Sequence, residues 1–258
     1  MILINPSYEF LRPLLSEPEQ LMAKGTAIHR GRNELCVVDA DRVQLCIKRY
    51  GVPKGLQRWI YRYLRAPKGL RAFRNSQQLR EAGFDSPEPI AYIQNDTRMR
   101  IGKTYYICRY QEGQTIYRWG DSGLMEIRRE VEALALFAAQ LHNAGLMLCD
   151  FTPGNILCTK KGFSLVDTNR MRPGVCSIRY GLRNMAGLWL QPEVADFLAH
   201  TYSAARGVAD TAPYIRLFRR YRRAFWQRFT KRHHLSEVII HRDLDGSQYS
   251  YHFNSTIQ

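Results

Sequence analysis

The rhythm of apolar and polar positions changes several times along this 258-residue chain. Residues 1–24 are mixed and carry Pro6, Pro13 and Pro18, which suits short helical pieces packed on the rest of the protein. From Thr26 the pattern turns β-like, predicting strands over Thr26–His29, Leu35–Val38 and Val43–Arg49 with turns at Gly31-Arg32-Asn33 and Asp39–Asp41. Gln57–Arg65 alternates aromatic residues with arginines until Ala66-Pro67-Lys68-Gly69 breaks it. Helical spacing resumes over Leu70–Ala82, with Phe73, Gln77 and Arg80 about a turn apart and Gly83 as the stop. Ile90–Ile93 and Thr104–Tyr110 then read as strands around a turn at Asn95-Asp96.

Glu126–Asn143 carries the strongest helical signal, with Val131, Leu134, Ala135, Ala138 and Leu141 on one stripe. A turn through Asn143-Ala144-Gly145 and a polar loop follow. Two short apolar strands, Ile156–Cys158 and Phe163–Val166, are joined by Lys160-Lys161-Gly162, and residues 182–206 and 212–234 read as helices. Punctuated this way, the chain divides into an N-terminal extension (1–24), a β-rich segment (25–112), a helical segment (113–235) and a tail (236–258).

Composition narrows the class. Hydrophobic residues make up 45% of the chain, as in a soluble globular protein, and no apolar run approaches the ~20 residues of a spanning helix. MILINPSYEF lacks the basic region and long apolar run of a secretory signal. The six cysteines are scattered among apolar neighbours without a C-x-x-C pair, so they read as small packed side chains of a reducing compartment.

The net charge of +15 is concentrated in two runs without a carboxylate: Lys54 to Arg80, and Arg216 to Arg232. Each predicts an anionic partner surface. In YIRLFRRYRRAFWQRFTKRHH (214–234) arginines alternate with Phe218, Tyr221, Phe225, Trp226 and Phe229. That composition suits a helix lying on an anionic bilayer with its aromatics at headgroup level; the alternative is a solvated face on a core-packed helix. No nucleic-acid module accompanies these residues, and no nucleic-acid partner is expected.

The candidate chemistry lies in LHNAGLMLCDFTPGNILCTKKGFSLVDTNR (141–170). Asp150 and Asn155 stand five positions apart on the loop, and Asp167 follows the second strand. Kinase-like enzymes place a base and two Mg²⁺ ligands around a triphosphate with this spacing. Asp150 would face the acceptor hydroxyl, while Asn155 and Asp167 would supply hard oxygen ligands. An ordinary acidic turn is the plainer alternative. Lys48, at the end of the third strand, is the candidate for the phosphates, although position alone equally allows a solvated edge lysine. Gly31 would sit in the turn over the phosphates, without a G-x-G-x-x-G around it. Gln111-Glu112-Gly113 reads as a hinge whose backbone would meet an adenine edge, which makes Glu112 a candidate nucleotide contact. No acidic residue precedes Glu81 in the 70–82 helix, so either Glu81 or some other group must position Lys48. His142, at the loop entrance, reads as a packing and hydrogen-bonding residue. His241-Arg242-Asp243 spells a kinase triplet but has Gln248 where a metal-binding asparagine would stand, and is set aside.

The segments GRNEL (31–35), CIKRY (46–50), SPEPIAYI (86–93), LHNAGLMLCDFTPGNIL (141–157) and FSLVDTNRMRPG (163–174) fall in one order. In them the chain resembles the lipopolysaccharide kinase (Kdo/WaaP) family over about residues 25–190. The resemblance implies an α+β, two-lobed protein-kinase-like fold, with a small β-rich N-terminal lobe and a larger helical C-terminal lobe. It implies an ATP- and Mg²⁺-dependent phosphotransferase acting on an inner-core sugar (Kdo or heptose) of lipopolysaccharide, at the inner membrane face of a Gram-negative bacterium. Asp150 then corresponds to the base, Asn155 and Asp167 to the metal ligands, and Lys48 to the phosphate-binding lysine. Leu148 and Thr152 stand where many protein kinases have histidine and lysine, which favours a small-molecule or glycolipid acceptor. A non-catalytic kinase-like binding protein and a protein Ser/Thr kinase are the alternatives.

Overall fold

The computed structural model describes residues 1–29, 31, 33–52, 66–96, 102–233, 239–242 and 249–252. The aromatic–arginine stretch 57–65 and Asp243 lie outside them. The chain forms two compact units, Met1–Gly113 with Ser164–Arg170, and Gln114–Phe163 with Met171–Gln258.

The first unit is built on an antiparallel sheet. Its strands are β1 (Ile2–Ile4), β2 (Thr26–His29), β3 (Asn33–Ala40), β4 (Val43–Tyr50), β5 (Pro89–Gln94) and β6 (Thr104–Arg109). Among the described residues the spatial order is β1-β5-β6-β4-β3-β2. The prolines at the N-terminus do open short helical pieces: a 3-10 turn over Pro6–Leu11, α1 (Arg12–Leu15) and α2 (Pro18–Ala23). Strand β1, which the mixed pattern did not announce, pairs with β5 as an edge strand. Helix α3 (Lys68–Glu81) is the other helical element that bears on the sheet.

Period-two alternation in β4 decides where Lys48 goes. Leu45 and Ile47 are fully buried against Tyr8, Leu11, Leu15 and Leu21 from the N-terminal pieces. Cys46, Lys48 and Tyr50 take the opposite face, where Leu70, Ala72 and Phe73 of α3 pack with Tyr50, Tyr92, Tyr106 and Cys108. Helix α3 stops as predicted. Gly83 lies at φ +84, with its N–H on the Arg80 carbonyl and the Phe84 N–H on that of Leu79, a left-handed cap that glycine adopts without steric cost. Phe73, Gln77 and Arg80 do lie on this helix. The buried face is Leu70, Ala72, Phe73, Ser76 and Leu79, with a serine at its centre.

The second unit contains β7 (Gln114–Thr115), α4 (Leu124–Asn143), β8 (Leu146–Leu148), β9 (Ile156–Thr159) and β11 (Met171–Pro173). Strand β10 (Gly162–Leu165) follows β9 through the Lys160-Lys161 turn, with Gly162 at φ +114. Helices α5 (Ile178–Met185), α6 (Pro192–Ala205) and α7 (Ala212–His233) complete it, with a ribbon of β12 (Ile239–Arg242) and β13 (Tyr249–His252). Every member of the predicted α4 stripe is fully buried, and α4 packs on α6.

The single helix expected over 182–206 is in fact two helices, α5 and α6. At the break, Gly187 lies so close to the Phe225 ring that an added Cβ would be 2.8 Å from Cζ, and Pro192 opens α6. The freed carbonyls of Leu188 and Leu190 accept from the Arg222 guanidinium of α7 at 2.8 and 2.6 Å.

The placing of Phe218 and Trp226 at headgroup level is corrected: both are buried. Phe225, Phe229 and Trp189, each half-buried, cluster around Trp226 in edge-to-face, tilted and stacked pairs. The exposed face carries Arg216, Arg219, Arg220, Arg223, Arg228, Lys231 and Arg232. Alternating arginine and aromatic residues describe an amphipathic helix whichever way it turns; packing against α5 and α6 decided which side faces in. Among the described residues, no helix is long and apolar enough to cross a membrane.

Candidate active site

Within the first unit, Lys48 Nζ stands 2.7 Å from Asp167 Oδ1, and the lysine side chain is mostly buried. The ammonium also lies 5.4 Å from the centre of the Tyr50 ring, a cation–π contact that suits a partly desolvated cation. Glu81, by contrast, is exposed at the end of α3. The group that meets Lys48 is therefore Asp167 itself. Asp167 has φ +53, a left-handed conformation uncommon outside glycine, and the Asn169 side-chain amide donates to its Oδ1. Such a backbone outlier persists only where its surroundings hold it.

Those surroundings are polar and buried. Ser76, Ser86 and Thr168 are each about 1% exposed or less. Thr168 Oγ1 donates to the Ala72 carbonyl at 3.1 Å and lies 3.0 Å from Ser76 Oγ. Ser76 in turn accepts from the Tyr106 hydroxyl at 2.9 Å. Ser86 Oγ donates to the Leu165 carbonyl at 2.9 Å, and Asn75 Nδ2 to the Thr168 carbonyl at 2.6 Å. Burial pushes the Tyr106 hydroxyl well above the usual tyrosine range, so it remains a donor.

Asp150 and Asn155 belong to the second unit, on the loop that leaves β8. Strand β8 is held by antiparallel pairing with β11, Leu148 opposite Met171. Phe151 and Pro153 are buried, while Asp150 and Asn155 are half-buried. The turn is closed by the Thr152 N–H and the Asn155 side-chain amide, both donating to the Asp150 carbonyl at 2.9 Å. With Nδ2 so engaged, Asn155 has Oδ1 left as an acceptor.

Beneath the loop, His142 is buried and bonded at both ring nitrogens. Asn184 Nδ2 donates to the Leu148 carbonyl at 2.9 Å, which leaves Asn184 Oδ1 to accept from His142 Nε2–H at 3.2 Å. His142 Nδ1 then accepts from the Tyr202 hydroxyl at 3.0 Å, and that hydroxyl accepts from Arg206 at 2.7 Å. Burial, against the Asn184 bond and helped by the Arg206 charge, lowers the His142 pKa to about 4. The ring is neutral, and its role is packing and hydrogen bonding. Gly181 makes this possible: an added Cβ would lie 1.8 Å from the Tyr202 hydroxyl.

Gly31 is exposed in the turn between β2 and β3, its neighbours Arg30 and Arg32 lying outside the described residues. Glu112 is exposed where the chain leaves the first unit. Among the described residues, neither forms a hydrogen bond or ion pair with Lys48 or Asp167. Pattern reading missed Asn75, Ser76, Ser86 and Thr168. The visible signal was a serine, Ser76, inside an otherwise apolar helical stripe.

Each unit offers one hard oxygen donor of the kind Mg²⁺ takes. In the first, Asp167 Oδ1 is taken by Lys48 and Asn169, leaving Oδ2. In the second, Asn155 offers Oδ1.

An antiparallel sheet unit whose strand β4 carries Lys48, with a helical unit that carries the Asp150–Asn155 loop, has a protein-kinase-like fold. The phosphotransferase enzyme family (APH) matches residues 57–245, and the chain belongs to that family. The structure of WaaP in complex with acyl carrier protein is similar at a TM-score of 0.57 and 16% identity, covering 88% of this chain and 99% of that one. Solved structures provide 1106 matching chains, a breadth that establishes the fold and leaves the acceptor to other arguments. A search of the curated proteins returns no match.

Proposed function

We propose that this phosphotransferase is an ATP- and Mg²⁺-dependent kinase of an inner-core sugar hydroxyl, on Kdo or heptose, of lipopolysaccharide. The observation that carries the kinase part is the Lys48–Asp167 ion pair, which provides the lysine with a counter-charge that α3 lacks. The acceptor class is supported by the family motifs, the fold shared with WaaP, and Leu148 and Thr152 beside Asp150. In this reading Lys48 binds nucleotide phosphate oxygens, and Asp167 and Asn155 are the residues that would hold Mg²⁺, which would supply positive charge for the transferred group. Asp150 takes the acceptor hydroxyl proton. Its loop geometry, closed on its own carbonyl, keeps the carboxylate oriented without rearrangement during transfer. Work at the cytoplasmic membrane face follows from the acceptor's lipid anchor and from the cationic outer face of α7.

Purified protein with Mg²⁺ and ATP should phosphorylate deacylated core oligosaccharide, and Asp150→Ala should lower the rate by about 10²–10⁴-fold, the usual contribution of a general base. Transfer at the wild-type rate by that variant would refute the role of Asp150. Lipopolysaccharide from a strain lacking the protein should be lighter by one phosphate in mass spectrometry; an unchanged mass would refute the acceptor.

A further inference from the structure

In kinase-like enzymes a helix carboxylate commonly positions the strand lysine, and α3 has none facing it. What α3 does present is a row of buried hydrogen-bonding groups directed at the residues flanking Asp167. The proton inventory of this row is consistent. Tyr106 donates to Ser76, Ser76 to Thr168, and Thr168 to the Ala72 carbonyl; Ser86 donates to the Leu165 carbonyl and Asn75 to that of Thr168. Every bond ends on the segment that carries Asp167 or on α3. The parallel bridge between Asp85 and Ser164, with the Leu165 N–H on the Asp85 carbonyl at 3.0 Å, secures the segment's start.

We propose that Ser76 and Thr168 form a hydroxyl clamp that positions Asp167 for its ion and for Lys48, in place of a helix carboxylate. The inference deepens the kinase reading and rests on it. Neither hydroxyl touches the reacting atoms. They act by holding Asp167 in its left-handed conformation, where the carboxylate meets Lys48. A neutral clamp has a chemical consequence: Asp167 keeps its charge for the ion and for Lys48, with no second carboxylate competing for the lysine.

The test uses Thr168→Val, which keeps shape and removes the hydroxyl, and Thr168→Ser, which keeps the hydroxyl. Calorimetry of Mg²⁺–ATP binding is the primary readout, with hydrogen exchange of the 164–170 amides in the nucleotide-free protein as the second. Loss of outer-shell support for an ion ligand weakens affinity by about 10–100-fold; Thr168→Val, which removes the bonds that fix the residue next to Asp167, should show that effect, with faster exchange and an unchanged KM for the acceptor. Thr168→Ser should recover binding to within a few-fold of wild type. Wild-type Mg²⁺–ATP affinity in Thr168→Val, or no recovery in Thr168→Ser, would overturn the clamp. If Thr168→Val does not fold, Ser76→Ala in the same measurement decides, wild-type affinity again refuting it. A wild-type protein that binds Mg²⁺–ATP but does not phosphorylate the oligosaccharide would refute the acceptor and leave the clamp to be judged by binding. One that binds no Mg²⁺–ATP would refute both.

Discussion

At the scale of single residues, His142 illustrates how burial assigns a role. An imidazole at a loop entrance looks like a proton carrier, yet both of its nitrogens are occupied and its pKa is held to about 4. Protonation would place a donor opposite the Tyr202 hydroxyl, beside the Arg206 guanidinium. The unfolded chain binds this proton near pH 6.5. The neutral ring's contribution is therefore complete above about pH 6.5, declines as pH falls, and is gone below about 4. The decline amounts to roughly 3 kcal/mol at most. Urea unfolding between pH 7 and 4.5 should show a steeper loss of stability in wild type than in His142→Gln. Parallel curves would refute this account. Sequence placed His142 correctly as a packing residue, but its partners Asn184, Tyr202 and Arg206 are separated by 42 to 64 positions in the chain, beyond the reach of any local pattern.

At the scale of elements, α7 and α3 show the limits of periodicity. In α7 the pattern established a helix but not its inward side. With Trp226 buried and Arg222 bonded to two carbonyls at the α5–α6 break, the helix is a structural member of its unit. Trp226→Ala should destabilise by about 3–5 kcal/mol. Arg222→Met, which leaves two buried acceptors unpaired, should cost about 2–6 kcal/mol, at about 1–3 kcal/mol per unsatisfied group. Denaturant midpoints measure both; losses below ~1 kcal/mol would indicate a peripheral helix. In α3 the polar position Ser76 broke an apolar stripe, and that break marks a hydrogen-bonded contact rather than an exposed face.

At the scale of the whole molecule, the excess positive charge is what a membrane-bound acceptor would meet. Because Phe218 and Trp226 are buried and the outer face of α7 is cationic, we expect binding to anionic vesicles to be electrostatic. Each basic residue near the surface contributes about 1 kcal/mol, and the attraction fades as salt shortens the Debye length. Arg220→Glu with Arg228→Glu should weaken vesicle binding by about 10²-fold or more at ~0.1 M salt while sparing transfer to deacylated oligosaccharide. Vesicle sedimentation tests this, and salt-insensitive binding would point to apolar insertion instead.

The amino-acid pattern by itself determined most of the elements, the positions of the turns, the buried stripe of α4, and the candidate residues Asp150, Asn155, Asp167 and Lys48. These follow from local periodicity and from spacing within a single loop and hairpin, and so are legible in one dimension. Only tertiary structure decided that Lys48 meets Asp167 rather than Glu81, that Ser76 and Thr168 meet beside Asp167, and that Phe218 and Trp226 of α7 are buried. In each case the partners come from distant parts of the chain, and burial, which removes water as the competing partner, determines which polar groups must find one another.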